Sequence, residues 1–306
     1  MRLGTVLFEG RERVVAALPD DRLLDLHLAA ENAGEDAACF VGMLAVIHGG
    51  ENALAIARRL LEMPEDRAIL EPGEVTFCPP ILPEQYRDCL VFEEHLDNCF
   101  KAFGIDQPIP PVWYQQPIYY KGNRLSFIGH GGTVEWPSYA EFLDVELELA
   151  IVLGKKGKNI KAEDGADYIF GYTILNDVSA RDAQQVEMAG TLGPAKGKDF
   201  DTGNILGPFI LTADEVPHPA TLKMELRVNG ERWGGGTSGA MQHDFGAILA
   251  HISQSETLYP GEVIGSGTVG TGCGLEMGKR LADGDEFELE IEKIGTLKNR
   301  IQKGAG

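Results

Sequence analysis

The sequence lacks the features that mark membrane, secreted and nucleic-acid-binding proteins. No apolar run approaches the roughly 20 residues that a transmembrane helix requires. The five cysteines (Cys39, Cys78, Cys89, Cys99 and Cys273) show no CxxC spacing, which indicates reduced and mostly buried thiols. The formal charge of −20 argues against a nucleic acid or an acidic membrane as partner, because both require basic surface. We expect neither of these partners.

The sequence does not predict a signal peptide either. Met1–Phe8 alternates between apolar and polar residues and has no small-residue cleavage site, which predicts a first strand rather than a signal peptide. Cytoplasmic location is therefore the default expectation. The composition, with 43% hydrophobic and 24% charged residues in a chain of 306, is ordinary for a soluble enzyme. An anionic substrate remains compatible with the negative charge, because a bound cation can reverse the local field.

The hydrophobic pattern divides the chain at about residue 80. Residues 1–80 begin with short alternating stretches and continue with helical patterns, which predicts a small N-terminal α/β domain. Residues 81–306 become strand-rich after Val145, with glycines between the strands, which predicts a larger β-rich α+β domain. Within it we predict helices over Tyr86–Phe103, where apolar residues recur at spacings of three and four, and over Met241–Ser253.

Three carboxylates lie in or after apolar stretches. In Leu143–Val152 the apolar residues alternate with Glu146 and Glu148, so both acids point to one face of a strand. Taken alone, this alternation fits two interpretations equally well: acids that bind a ligand, or a half-exposed strand with both glutamates in water. A second apolar strand ends in Asn176 and Asp177. Three such oxygen donors would suit Mg²⁺, Mn²⁺ or Ca²⁺, whereas zinc would prefer histidine and cysteine.

Several ordered blocks of sequence resemble the fumarylacetoacetate hydrolase family. The signature segments are Leu143–Ala150 and Phe170–Gln184, and further blocks follow in the family's order at Leu192–Thr202 with Leu206–Pro208, Thr257–Gly270 and Ile294–Asn299. The resemblance implies a mixed β-roll core behind a small N-terminal domain, a homodimer, and one Mg²⁺ or Ca²⁺ per active site. We expect Mg²⁺ first, with Mn²⁺ and Ca²⁺ as alternatives.

The same resemblance implies roles for individual residues. Glu146, Glu148 and Asp177 would bind the metal, with Asp88 as a fourth ligand. His95 would be the catalytic base and Lys198 would hold an oxyanion, although an ordinary surface lysine beside Lys196 is the alternative for Lys198. The positions that would contact the substrate are Arg181, Gln184, Tyr120 and Thr268.

The spacing of Asp88 and His95 supports their pairing within the predicted helix. Seven residues make almost two helical turns, so the two side chains would share a face about 10 Å apart. A metal at one end and a base at the other would leave room for a small diketo acid. The alternative interpretation treats His95 as a surface residue of the acidic run Glu93-Glu94-His95.

Two departures from the family pattern concern the substrate. Met188 stands where a tyrosine is usual, and the neutral Asn123 stands where a basic residue is usual. Both indicate a substrate other than fumarylacetoacetate itself. The aromatic residues of Ile105–Gly132 suggest a hydrophobic or ring-derived compound.

The first functional hypothesis is a metal-dependent hydrolase that cleaves a carbon–carbon bond in a β-diketo acid such as an acylpyruvate. His95 would activate water and Lys198 would stabilise the tetrahedral oxyanion. The alternative is a decarboxylase, hydratase or tautomerase that acts on a 2-keto acid such as oxaloacetate through a metal enolate. A non-enzymatic keto-acid-binding protein is a third hypothesis, favoured if His95 and Lys198 lie away from the carboxylates.

Overall fold

The computed structural model describes residues 1–304, which form 21 strands and seven α-helices. The first ten strands are β1 Arg2–Phe8, β2 Arg11–Ala17, β3 Leu23–Asp25, β4 Ile69–Leu70, β5 Thr76–Phe77, β6 Tyr86–Cys89, β7 Tyr119–Lys121, β8 Phe127–Ile128, β9 Thr133–Trp136 and β10 Leu143–Asp144. The others are β11 Leu147–Leu153, β12 Gly157–Lys158, β13 Ile169–Asp177, β14 Ser179–Ala180, β15 Asn204–Thr212, β16 Met224–Val228, β17 Glu231–Gly234, β18 Thr257–Leu258, β19 Val263–Thr268, β20 Glu286–Ile291 and β21 Gly295–Lys303. The helices are α1 Leu26–Ala33, α2 Met43–Glu62, α3 Glu93–Ala102, α4 Pro111–Gln115, α5 Arg181–Met188, α6 Ala195–Lys198 and α7 Phe245–Ile252.

The larger of two main sheets has 12 strands, in the order β4-β3-β2-β1-β15-β13-β11-β19-β6-β7, with β5 beside β1 and β8 beside β15. The second main sheet has five strands, in the order β17-β16-β20-β21-β9. Few residues of the chain are helical by comparison. The architecture is therefore the β-rich α+β fold that the sequence predicts.

The centre of the large sheet is apolar on both faces. Every residue of β11, β13 and β15 is buried, which explains their near-continuous apolar sequence. One hydrophobic core joins this sheet to the five-stranded sheet, since Leu147 and Ile174 pack in the same cluster as Leu289 and Leu297. The carboxylates of β11 and β13 therefore lie inside the protein, and the half-exposed interpretation of Glu146 and Glu148 is wrong.

The N-terminal region is continuous with the large sheet. Strand β1 pairs with β15 through Arg2↔Leu211 and Leu3↔Ile210. Helix α2 runs through both helical patterns of this region and is kinked at Gly50, where the backbone has a φ of 52° that glycine adopts readily. Backbone pairing thus crosses the boundary expected near residue 80, and the division into two domains stays a prediction.

The helix predicted over Tyr86–Phe103 is wrong at its beginning. Tyr86–Cys89 is strand β6, which pairs in parallel with β19 through Tyr86↔Val263 and Asp88↔Gly265, and the helix begins only at Glu93. Pairing with a distant strand overrides the local helical pattern. Asp88 and His95 therefore do not share a helix face.

Two further boundaries differ from expectation. The strand expected to carry Glu146 is interrupted, because β10 ends at Asp144 and β11 begins at Leu147. Glu146 lies in this gap, where its N–H donates to Oδ1 of Asn176. The helix predicted over Met241–Ser253 begins later, because Asp244 caps α7 by accepting from the N–H of Ala247. None of the helices in residues 1–304 is long and apolar enough to cross a bilayer.

Candidate active site

Three buried carboxylates converge at the centre of the large sheet. Asp88 comes from β6, Glu148 from β11 and Asp177 from the end of β13, and one oxygen of each lies within 4.8 Å of the others. Strand β19 lies between β11 and β6, so Asp88 and Glu148, 60 residues apart in the sequence, meet only through tertiary pairing. Such a cluster of hard oxygen donors is the ligand type that Mg²⁺, Mn²⁺ and Ca²⁺ prefer.

The protein leaves part of this cluster without partners. Among the described residues, Oδ1 of Asp88 and Oδ1 of Asp177 are buried and accept no hydrogen bond. Burial raises the pKa of all three acids, and for Glu148 the charges of Asp88 and Asp177 add to the effect. Buried acids that repel one another and keep free oxygens fit a divalent cation, which would satisfy the oxygens and displace the protons.

Gly265 of β19 makes the space that these carboxylates occupy. A Cβ at this position would lie 2.8 Å from Oε2 of Glu148 and closer still to Oδ1 of Asp88. A side chain of any kind would therefore push both oxygens away from their positions. Glycine at residue 265 is a feature of the site that the sequence alone did not single out.

Glu146 differs from the other three acids in its partners. Its carboxylate hydrogen-bonds to Nζ of Lys198, and Oε1 lies 2.7 Å from Nη1 of Arg181. Burial opposes the charge of Glu146, but Lys198 and Arg181 outweigh it and hold the pKa of this acid well below its usual range. The three acids whose oxygens lie within 4.8 Å of one another are Asp88, Glu148 and Asp177, and Glu146 is not among them. The role of Glu146 as a direct metal ligand stays a prediction.

Lys198 connects Glu146 to the cluster. Its Nζ donates to Oδ2 of Asp177 at 2.6 Å, and the side chain is buried, so the surface alternative for this lysine is wrong. Burial opposes its charge, but Asp177 and Glu146 outweigh burial and raise the pKa of Lys198 above its ordinary value. The ammonium group therefore stays charged beside the carboxylates.

Of the four predicted substrate contacts, Tyr120 and Thr268 lie against the acidic cluster, whereas Arg181 contacts Glu146 and Gln184 contacts Arg181. The Tyr120 hydroxyl donates to Oδ2 of Asp177 at 2.9 Å, and Oγ1 of Thr268 is 3.4 Å from Oε1 of Glu148. Arg181 is buried and donates to Oδ2 of Asp144 and, at 3.2 Å, to Oε1 of Gln184, which is half-buried. Their contact with a substrate stays a prediction.

His95 is buried on α3 and is paired with an acid that sequence reasoning missed. Its Nδ1 donates to Oε1 of Glu276 at 2.8 Å, while Oε2 of Glu276 accepts from Nδ2 of Asn98 at 3.0 Å and from the N–H of Thr271 at 2.7 Å. Glu276 follows His95 by 181 residues in a glycine-rich segment without a local motif, so the sequence offers no signal for the pair. The surface alternative for His95 is wrong.

The environment of His95 favours the protonated, positively charged form of its imidazole. Burial opposes the imidazolium, but the hydrogen bonds of Cys273 and Glu276 and the charge of Glu276 outweigh burial and raise the pKa of His95 to about 10. Cys273 itself is an uncharged thiol at neutral pH, because burial raises its pKa well above the ordinary value. His95 is therefore a proton donor at neutral pH, with its ring fixed by Glu276. Its charge also reaches the carboxylate of Glu146, whose pKa it helps to lower.

A cavity of about 520 Å³ opens beside this pair. Its wall includes Asn98 and Glu276, together with the cationic side chains of Lys101, Lys279 and Arg280. Asp88, Glu148 and Asp177 do not line it, so the cavity reaches the site at the Glu276 side. Lys101 and Lys279 are paired with Asp97 and Glu231, which reduces the positive charge that this wall offers to an anionic ligand.

A β-rich fold that brings acids from separate strands together, beside a buried and charged His–Glu pair, is the arrangement of an enzyme active site. The chain belongs to the fumarylacetoacetate hydrolase family, because the family described as fumarylacetoacetate (FAA) hydrolase C-terminal matches residues 85–302. Members of this family are enzymes, and the family resemblance inferred from the sequence blocks is confirmed.

Curated relatives cover most of the chain. An oxaloacetate tautomerase of Bacillus subtilis is 31% identical over 98% of this chain and 100% of its own length. A mitochondrial oxaloacetate tautomerase of Homo sapiens is 36% identical over 85% of this chain and 79% of its own length.

A solved structure is similar over the whole chain. The fumarylacetoacetate hydrolase of Exiguobacterium antarcticum covers 99% of this chain and 100% of its own, with 27% identity and a TM-score of 0.76. The predicted fold of this family is therefore confirmed.

Proposed function

We propose that this protein is a metal-dependent tautomerase that interconverts the enol and keto forms of a short 2-keto dicarboxylic acid such as oxaloacetate. The observation that carries the proposal is the His95–Glu276 pair, hydrogen-bonded at 2.8 Å, whose charge reaches Glu146, and Lys198 links Glu146 to Asp177 of the acidic cluster. Ketonisation needs a proton donor for C3 of the enol, and no water molecule has to be activated. The names of the tautomerase relatives support the same choice.

A protonated His95 favours this reaction over hydrolysis. A hydrolase needs a neutral imidazole to remove a proton from water. Burial opposes a charged imidazole in this site, yet the hydrogen bonds of Cys273 and Glu276 raise the pKa of His95, and Oε1 of Glu276 lies 2.8 Å from Nδ1, which favours the imidazolium. We therefore prefer the tautomerase, which the sequence allowed as an alternative, to the hydrolase first expected.

The acidic cluster would hold the divalent cation through Asp88, Glu148 and Asp177. When bound, such a cation supplies a Lewis acid for the 2-keto oxygen. Lys198, charged and hydrogen-bonded to Asp177, adds a second positive group for the developing enolate. The Tyr120 hydroxyl, 2.9 Å from Oδ2 of Asp177, orients that carboxylate.

In the keto-to-enol direction the protons move in reverse. Nε2 of His95 first releases its proton to solvent and then accepts a proton from C3 of the substrate, while Glu276 keeps Nδ1 protonated throughout. The electron pair of the broken C–H bond forms the C2–C3 double bond, and the former keto oxygen carries the charge until it is protonated. Solvent supplies that proton and takes the one that His95 released, so atoms and charge balance.

Carbon–carbon hydrolysis is the second candidate. The similarity to the fumarylacetoacetate hydrolase structure favours it. Both reactions use a stabilised enolate, so the site alone does not separate them. The products do, because hydrolysis consumes water and yields two acids whereas tautomerisation leaves the carbon skeleton intact.

A panel assay tests the proposal. Enol oxaloacetate and an acylpyruvate are each incubated with the protein and Mg²⁺, and loss of the enol absorbance is followed with and without EDTA. We expect metal-dependent acceleration for oxaloacetate with no cleavage product from either compound. Cleavage of the acylpyruvate into two acids, without acceleration for oxaloacetate, would reverse the choice.

The oligomeric state and the cellular location are also proposals. The homodimer implied by the family resemblance would be checked by light scattering. Cytoplasmic location stays a prediction, and the name of the human relative places that protein in mitochondria.

A further inference from the structure

A second group of metal-ligating side chains lies apart from the acidic cluster. It consists of His95 and Cys99, one helical turn apart on α3, and Cys273 from the segment before Glu276. One ligand atom of each lies within 4.8 Å of the others, and all three side chains are buried. The acidic cluster offers only oxygen, whereas this group offers one nitrogen and two sulfurs.

The spacing of these atoms fits a tetrahedral cation. Zn–N and Zn–S bonds of normal length at the tetrahedral angle separate nitrogen from sulfur by about 3.5 Å and two sulfurs by about 3.8 Å. Nε2 of His95 lies 3.6 Å from Sγ of Cys99. The remaining pairs of ligand atoms lie within 4.8 Å of one another, so they would have to approach by about 1.3 Å at most when a cation binds.

Glu276 orients the imidazole of His95 for metal binding. It binds Nδ1 at 2.8 Å, which orients the ring and leaves Nε2 as the ligand atom. Histidines that bind metals almost always donate their other N–H to such a partner. Oε1 of Glu276 also lies 3.3 Å from Sγ of Cys273, so the same acid contacts two members of the group.

We propose that His95, Cys99 and Cys273 form a second metal site, selective for a soft or borderline cation of the Zn²⁺ class. A water would complete the coordination. The three ligands do not line the cavity at Asn98 and Glu276, and the cavity reaches the group through Glu276, which contacts His95 and Cys273. Both thiols and the imidazolium release protons to solvent when the cation binds, and no oxidation or reduction occurs. Mg²⁺ belongs to the acidic cluster, because thiolates select soft metals.

Occupation of this site would also stop turnover, since it takes Nε2 of His95. This consequence alone rests on the proposed function. The binding site itself depends only on the three side chains. The two ideas can therefore fail separately, and the test reads cation binding directly.

Cobalt(II) is the probe for the test. The reduced protein is saturated with Mg²⁺ and then titrated with Co²⁺, while thiolate-to-cobalt charge-transfer absorption is recorded in the near ultraviolet. Carboxylates give no such band. We expect one equivalent of this absorption in the wild type, bleached stoichiometrically by Zn²⁺. Its absence from the wild type would overturn the site without recourse to any variant.

Cysteine variants then identify which thiols bind the cobalt ion. Cys99→Ser and Cys273→Ser should each weaken cobalt binding by about 100-fold or more, because a soft ligand is lost. Cys89→Ser is the matched control, a buried thiol next to Asp88 and outside the group. The band should survive in Cys89→Ser, and a band that is lost there or retained in both other variants would overturn the proposal.

Zinc inhibition separates the two ideas. A cobalt band with unchanged turnover under Zn²⁺ would uphold the site and contradict the role of His95. Missing cobalt absorption would remove the site whatever the activity is.

Discussion

Gly265→Ala is expected to abolish high-affinity metal binding while the fold survives. The added Cβ would lie 2.8 Å from Oε2 of Glu148 and closer to Oδ1 of Asp88, whereas carbon–oxygen contacts normally begin at about 3.3 Å. At least one carboxylate must therefore move by about 0.5 Å or more, and metal sites tolerate errors of only about 0.2 Å. Mn²⁺ affinity should fall by about 100-fold or more.

The assay compares Mn²⁺ binding by calorimetry in the wild type, Gly265→Ala and Gly73→Ala. Gly73 is the matched control, because a Cβ there meets nothing within 4 Å. Overpacking should cost Gly265→Ala about 1–3 kcal/mol of unfolding free energy, which leaves a folded protein to titrate. Mn²⁺ affinity equal to that of the control would refute the assignment of the cation to Asp88 and Glu148.

Three other changes probe the surrounding residues. His95→Gln should lower turnover by about 10²–10⁴-fold and leave Mn²⁺ binding intact, so an equal loss of metal by calorimetry would contradict a role in proton transfer. Arg181→Met removes the partner of Asp144 and should cost about 3–5 kcal/mol of unfolding free energy in a urea titration, whereas a cost under about 1 kcal/mol would show that the ion pair is not structural. Because Cys273 and Glu276 outweigh burial and raise the folded-state pKa of His95 to about 10, its contribution to stability is complete below about pH 6.5 and is lost as the pH rises towards 10. The urea midpoint should fall across that window more steeply in the wild type than in Glu276→Gln, and parallel curves would argue against the charged pair.

The parts of the fold that follow from the sequence are those with strong local patterns. Leu147–Leu153 and Ile169–Asp177 are continuous apolar stretches long enough to be recognised as central strands. Their ends carry Glu148 and Asp177, so two acids of the cluster could be predicted. Tyr86–Cys89 could not, because four residues carry little propensity and their partner β19 is distant in sequence.

The parts of the site that escaped prediction depend on tertiary contacts. Glu276 and Cys273 meet His95 across more than 170 residues, and neither belongs to a motif of fixed spacing. The role of Gly265 depends on how closely the side chains of two neighbouring strands approach. The gap between β10 and β11 turns Glu146 towards Lys198 and Arg181, which a simple alternation of residues does not anticipate.

Exchange of the C3 protons of oxaloacetate with D₂O, followed by NMR, tests the central claim most directly. With protein and Mg²⁺ we expect exchange about 100-fold or more faster than with Mg²⁺ alone, an intact carbon skeleton, and a return to the background rate with EDTA. Exchange at the background rate, or conversion of the substrate into cleavage or decarboxylation products, would contradict a metal-dependent tautomerase.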